Sequence, residues 1–171
     1  MRQEDPDRAP AGASIATLAA LYEDGYRRYL RVAEAIVGDA DIAHDAVQEA
    51  FAHAIRSRSR YRGSGPVEAW LWRTVVNTAK TTRRDAPPPP LPLEAVVDSL
   101  PAGDAEGSHR EFASVLAALP ERQRIVLFLR YYADLDYRQI ADTLEISPGT
   151  VGATLNQAHA ALRRRLEDVP A

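Results

Sequence analysis

The stretch "DAPPPPLPLEAVVDSLPAGDAEGSH", residues 85–109, restricts the fold more than any other part of the chain. Four consecutive prolines and two later ones remove backbone donors and fix φ near −65°, so no long helix crosses the segment and extended polyproline-type backbone is favoured. Its acids, Asp85, Glu94, Asp98, Asp104 and Glu106, meet no basic residue within it. A chain of 171 residues divided in this way is expected to form two small units joined by an acidic linker.

Both flanks read as helical, and strand-like alternation is absent at any useful length. The N-terminal half predicts helices from Ser14 to Val37, with Ser14 as cap and Gly38 as stop, then from Asp41 to Arg58 and from Val67 to Arg84. In the second of these, Ile42, Ala46, Phe51 and Ile55 mark the expected buried stripe. "YRGSGP", Tyr61 to Pro66, is a loop by its glycines and proline. Beyond the linker, four short helices are expected at Glu111–Ala118, Glu121–Tyr132, Tyr137–Leu144 and Pro148–Glu167. The expected organisation is an all-α chain: a tail over 1–13, a helical unit over 14–84, a linker over 85–109 and a second unit over 110–168.

Composition removes several function classes. At 46% hydrophobic and 26% charged residues the chain is ordinary globular material, with no run near the roughly 20 apolar residues of a membrane span. The N-terminal "MRQEDPDRAPAGAS" lacks the apolar core of an export signal, and the absence of cysteine fits a reducing compartment. A cytoplasmic protein without membrane insertion is the expectation. No nucleophile–base set and no phosphate-cradling glycine loop is present, so neither enzymatic activity nor a cofactor is expected.

The net charge of −3 conceals segregation. Residues 39–49 hold Asp39, Asp41, Asp45 and Glu49 without a basic residue, whereas Arg56 to Arg84 holds eight basic residues against one acid, Glu68. An acidic block beside a basic block that carries two tryptophans is less often accidental than a single charged run on a solvated face.

"DYRQIADTLEISPGTVGATLNQAHAALRRRL", Asp136 to Leu166, has helix-turn-helix geometry. Val151, Leu155, Ala158, Leu162 and Leu166 form one stripe, Ser147 and Pro148 open the last helix, and only Glu145 to Ser147 separate it from the helix before. That leaves Gly149, Thr150, Gly152, Ala153, Asn156 and Gln157 outward, small and amide residues suited to a major groove. Yet no lysine or arginine stands between Arg138 and Arg163, although phosphate neutralisation supplies most DNA affinity.

Read with "ALPERQRIVLFLRYYADL" before it, this segment resembles region 4 of bacterial extracytoplasmic-function (ECF, group 4) sigma factors of the sigma-70 family. Leu119-Pro120, Arg122, Arg124, Leu127, Leu129, Arg130, Tyr137, Ile140-Ala141, Ser147, Gly149, Thr150 and Val151 carry the likeness. Three departures stand out. Glu145 replaces a usual glycine, Gln139 replaces an acid, and Gly152, Thr154, Gln157 and His159 occupy positions that are commonly basic.

The N-terminal half resembles region 2 of the same family. "DADIAHDAVQEAFAHA" is similar to its polymerase-docking helix through Asp41, Asp45, Gln48, Glu49 and Phe51. "PVEAWLWRTVVNTAKTTRRD" is similar to its −10 helix. The resemblance implies a factor that binds core RNA polymerase, at the β′ clamp and β flap, and directs promoter-specific initiation, with an anti-sigma factor as a further partner. It implies −10 contacts from Arg60, Arg62, Trp72, Arg73, Asn77, Lys80, Arg83 and Arg84, with Trp70 left to the core and "YRGSGPVE" holding a flipped base. The implied −35 contacts are Arg124, Arg130, Arg138, Ser147, Gly149, Thr150, Ala153, Thr154, Asn156 and Gln157.

Two rival readings differ in what they leave unexplained. A stand-alone helix-turn-helix regulator makes no use of the acidic and tryptophan-bearing helices. A metal-dependent helical enzyme would use His44, Asp45, Glu49 and His53, but His44 and Asp45 diverge by about 100° around a helix and no second ligand helix is evident.

Overall fold

A computed structural model describes residues 12–63, 65–85 and 114–167, the side chains of Arg84, Asp85, Leu166 and Glu167 excepted. Helix is the only regular structure among the described residues, with no strand. The elements are α1 (Ile15–Val37), α2 (Ala40–Ser57), α3 (Val67–Asp85), α4 (Glu121–Tyr131), α5 (Tyr137–Leu144) and α6 (Pro148–Glu167). A 3-10 turn at Arg58–Arg60 follows α2, and one helical turn at 114–117 precedes α4. The proline-rich segment 86–109 and residues 1–11 lie outside the described residues.

Helix ends fall where the local chemistry puts them. Ser14 Oγ accepts from the Thr17 amide at 2.9 Å and opens α1, which Gly38 ends at φ 82°. Asp39 caps α2 by accepting from the Ile42 amide at 2.9 Å. Asp136 accepts from the Arg138 and Gln139 amides, while the Gln139 side chain accepts from the Asp136 amide at 2.7 Å. Gln139 thereby completes a capping box, the service an acid gives at that position.

The first three helices pack pairwise against one another. Their shared core is Leu18, Tyr29, Val32, Ile36, Val47, Leu71, Trp72 and Val75, each at most 1% exposed. The α2 stripe is corrected by this packing. Because α2 lies between two neighbours, it buries Ala43, Ala46, Val47, Ala50, Phe51 and Ala54, while Ile55 is 40% exposed. Small side chains let α1 and α3 approach closely.

In the second half, α4 packs on α6 and α5 closes the helix-turn-helix against α6. Val151, Leu155 and Ala158 are buried as their spacing predicts. The halves also meet, with α4 against α1 and α5 against α3. Buried side chains from both form one continuous apolar cluster. Among the described residues no helix is long and apolar enough to cross a membrane.

Candidate nucleic-acid interface

Helix α3 has two faces, and its two tryptophans fall on different ones. Trp72 is in phase with Val75, Val76 and Ala79, all fully buried, and its ring lies 4.2 Å from that of Tyr29. Trp70 is in phase with Arg73, Thr74 and Asn77 and is only half-buried. Trp72, expected as a base contact, is therefore a core residue, and Trp70, expected in the core, is the one left partly open to the surface. The 3.6-residue phase was present in the sequence: positions 72, 75, 76 and 79 are apolar, whereas 73, 74 and 77 are polar.

The Tyr61–Pro66 loop folds over the exposed face. The Tyr61 hydroxyl donates to the Gly65 carbonyl, and the Tyr61 and Trp70 rings are 5.8 Å apart. Between them lies a cavity of about 220 Å³ lined by Arg60, Tyr61, Arg62, Trp70, Arg73 and Asp142. An aromatic wall ringed by arginines provides both a stacking surface and phosphate partners. A groove of about 500 Å³ continues from it between α2 and α3, past Trp70, Arg73, Thr74, Asn77, Thr78 and Thr81 to Glu49 and His53. Further along, Asn77, Lys80, Thr81 and Arg83 share a recess with Glu121. Arg60, Arg62 and Asn77 are exposed, and Lys80 and Arg83 are half-buried. No side chain is described for Arg84.

The acidic helix α2 presents Asp41, Asp45, Gln48 and Glu49 to solvent, Asp45 with 86% of its side chain exposed. Glu49 pairs with Arg56 at 2.7 Å. Phe51, expected on the same docking face, is buried against Tyr22 and Tyr29. Its place is in the core because α2 turns that side toward α1.

In the helix-turn-helix, Ser147 Oγ accepts from the Thr150 amide at 3.1 Å and opens α6. Gly149, Ala153, Asn156 and Gln157 are exposed and Thr150 half-exposed, the surface the spacing predicts. Thr154 departs from its expected role. It is buried in phase with Val151, Leu155 and Ala158, and its hydroxyl donates back to the Thr150 carbonyl at 2.7 Å. Arg138 is exposed, and Arg130 is half-buried near Asp134 and the Leu135 carbonyl.

Arg124 also departs. Only 5% exposed, it donates to the carbonyls of Ala35, Ala117 and Leu119 at 2.8 to 3.2 Å. Burial first, and the nearby Arg83 second, push its pKa below the usual guanidinium range, yet such a group stays protonated. It ties α4 to α1, and its burial keeps it away from DNA in this arrangement. A basic residue flanked by Leu119 and an apolar run through Leu129 was the available hint of burial.

The left-handed backbone at Glu145 (φ 56°, ψ 46°) was also legible, from the position where a helix end favours glycine. Its partner was not. The Glu145 carboxylate lies 3.2 Å from Arg73 of the other half.

Comparison with known proteins meets this geometry in both halves. Residues 21–86 match the family described as Sigma-70 region 2, and residues 109–162 match Sigma-70, region 4. The chain is 31% identical over 147 residues to the RNA polymerase sigma-H factor of Pseudomonas aeruginosa, covering 77% of this chain and 76% of that protein. It is 28% identical over 139 residues to the ECF RNA polymerase sigma-E factor of Escherichia coli K12, covering 72% and 73%. In fold it is similar to the sigma factor RpoE of Bartonella quintana, solved with the anti-sigma factor NepR, at 20% identity and a TM-score of 0.61 over 91% of this chain and 95% of that one. Two sigma-70 regions in order, on the helices that carry the acidic face, the aromatic groove and the helix-turn-helix, place the chain in the sigma-70 family of RNA polymerase sigma factors, among those of extracytoplasmic-function type.

Proposed function

We propose that this sigma factor belongs to group 4 and divides promoter recognition between its halves. The exposed acids of α2, Asp41 and Asp45 foremost with Gln48 and Glu49, dock the basic clamp of the polymerase β′ subunit by charge complementarity. The second half sits on the β flap. The α3 groove then receives the −10 strand. Arg60, Arg62, Arg73, Lys80, Arg83 and Arg84 hold phosphates, Trp70 and Asn77 receive bases, and the loop cavity takes a flipped base. On α6, Ser147, Gly149, Thr150, Ala153, Asn156 and Gln157 face the −35 duplex, with Arg130 and Arg138 as flanking phosphate contacts.

One observation carries this reading: Trp70, Arg73 and Asn77 share the exposed stripe of α3 and lead from a loop cavity into one groove. Strand opening needs that combination, because bases leaving the stack require an aromatic or amide partner while their phosphates require cations. The polymerase supplies the chemistry, so the chain acts in the cytoplasm as an initiation factor and not as a catalyst. The likeness to a sigma factor held by its anti-sigma protein supports a regulatory partner of that kind here.

Run-off transcription tests the reading. Core polymerase with this chain should give a transcript of defined start that core polymerase alone does not give. The Asp41→Arg/Asp45→Arg variant should lose that transcript and co-purification with core polymerase, while its helical circular dichroism is unchanged. Undiminished co-purification of the variant would remove α2 as the docking face.

A further inference from the structure

From Gln139 to Leu162 one side chain is able to carry positive charge, His159. Helical phase sets its place on α6. Gly152, Asn156, His159 and Arg163 follow one another at spacings of four, three and four, a single row along the helix. Asn156 in that row is exposed and belongs to the outward face read above as facing the −35 duplex, and His159 beside it is half-buried. The row is therefore the flank of the base-reading face.

Two neighbouring helices build the same flank. Tyr137 of α5 packs over Gly152, where an added Cβ would meet its ring at 3.5 Å. Tyr131 of α4, 60% exposed, shares a hydrogen bond of 2.9 Å with His159 Nε2. Arg130 and Arg138, the proposed phosphate contacts, adjoin these two tyrosines in the chain, and the Arg130 guanidinium lies 5.9 Å from the centre of the Tyr131 ring. Arg130 also lies 3.5 Å from Asp134, and Arg163 follows His159 by one turn of α6. No carboxylate among the described residues pairs with His159. The bond to Tyr131 survives a change of charge. With the ring neutral the phenol donates to Nε2; with the ring protonated Nε2 donates to the phenol oxygen. In both states Nδ1 carries a hydrogen to offer an acceptor.

We infer that His159, positioned by Tyr131, contacts a phosphate of the −35 duplex and gives α6, on protonation, the cation it otherwise lacks before Arg163. The inference rests on the reading of α6 as the −35 face. Imidazole is the side chain whose ordinary charge change falls between pH 5 and 8. A phosphate beside the ring favours the imidazolium, so its pKa is higher in the complex than in the free chain. The added affinity is then full below the free value and is lost as pH rises through the bound value. DNA grip by this half tightens toward acid.

Holoenzyme assembled from core polymerase and the full chain is titrated against a labelled promoter duplex at about pH 6 and about pH 8, on either side of the ordinary imidazole pKa. The parent should tighten toward acid more than His159→Gln, which keeps a polar group beside Tyr131 but takes no proton. If DNA raises the imidazole pKa by one unit, the extra tightening is at most about tenfold. On acidification the parent's slope of log affinity against log salt should steepen by about 0.9, one phosphate's share, and that of His159→Gln should not. His159→Arg should bind more tightly than His159→Gln at both pH values, and Tyr131→Phe should shrink the parent's gain in acid because the ring loses its hold. Equal tightening of parent and His159→Gln overturns the inference, as does a His159→Arg variant no tighter than His159→Gln at about pH 8. Variants that alter the melting temperature alone make the pair a clip between α4 and α6 and overturn it equally. The Asn156→Ala/Gln157→Ala variant separates the two readings. If it loses −35 preference while His159 is silent, only the histidine contact falls; if it too is silent, α6 falls as the −35 face.

Discussion

Helices α3 and α6, which the proposed function gives the same kind of ligand, carry opposite chemistry. The exposed side of α3 and its preceding loop carry Arg60, Arg62, Arg73, Lys80 and Arg83 beside an aromatic ring. The exposed side of α6 carries Gly149, Ala153, Asn156 and Gln157, with no cation before Arg163. A bare, amide-bearing helix can lie deep in a major groove but contributes little of the electrostatic affinity that phosphates supply. A cationic, aromatic groove grips strands that have already separated. On the proposed reading, grip therefore falls to the first half and to polymerase, and sequence choice to the second. Two weak sites on one tethered chain gain effective concentration without either being strong alone.

The sharpest challenge to this contrast lies within α3 itself. Trp72→Ala should cost about 3–5 kcal/mol of stability, since it empties a fully buried site against Tyr29. Trp70→Ala, at a half-buried site, should cost distinctly less stability than Trp72→Ala but impair open-complex formation. Permanganate footprinting of the bubble reads the second effect, and equal opening by Trp70→Ala and parent would strike Trp70 from the base contacts. On α6, replacing Asn156 and Gln157 by alanine should relax −35 preference by about 1–3 kcal/mol for each bidentate base pairing that the amides make. Competition between matched and mismatched duplexes with the assembled holoenzyme measures it. Unaltered discrimination would mean that α6 positions the DNA without reading it.

The smallest effect sits at the turn between α5 and α6. Glu145→Gly removes a left-handed strain of about 1–2 kcal/mol and an exposed ion pair worth about 0–1 kcal/mol. A net stabilisation of about 1 kcal/mol is expected in thermal unfolding. Destabilisation would show that the Arg73 ion pair outweighs the backbone strain.

Much of this molecule is readable from its residues. The caps at Ser14, Gly38 and Ser147, the three-residue turn and the Val151-Leu155-Ala158 stripe are local, and local rules placed them. The misplacements share a different cause. Trp72, Phe51, Thr154 and Arg124 were assigned by likeness of position, and helical phase or partner burial overrode each. Phase was available for Trp72 and Thr154. For Arg124 it was not enough, because its strongest partner, the Ala35 carbonyl, lies 89 residues away in the other half. The Arg73–Glu145 pair was hidden for the same reason. Periodicity tells which face of a helix is apolar, but not which polar face another part of the chain will cover.

If sequence choice and grip are divided in this way, the second half by itself binds duplex DNA weakly, and a salt titration reads that directly. Ahead of α6 in residues 111–171 stand Arg122, Arg130 and Arg138, joined by Arg124 once the Ala35 carbonyl that holds it in the full chain is gone, and Arg163 to Arg165 lie turns beyond the recognition end. Residues 111–171, checked for helical circular dichroism, should bind a −35 duplex poorly, with a slope of log affinity against log salt no steeper than about −3.6. Nanomolar binding with a steep slope would contradict this division, because it would place the missing charge on the half that lacks it.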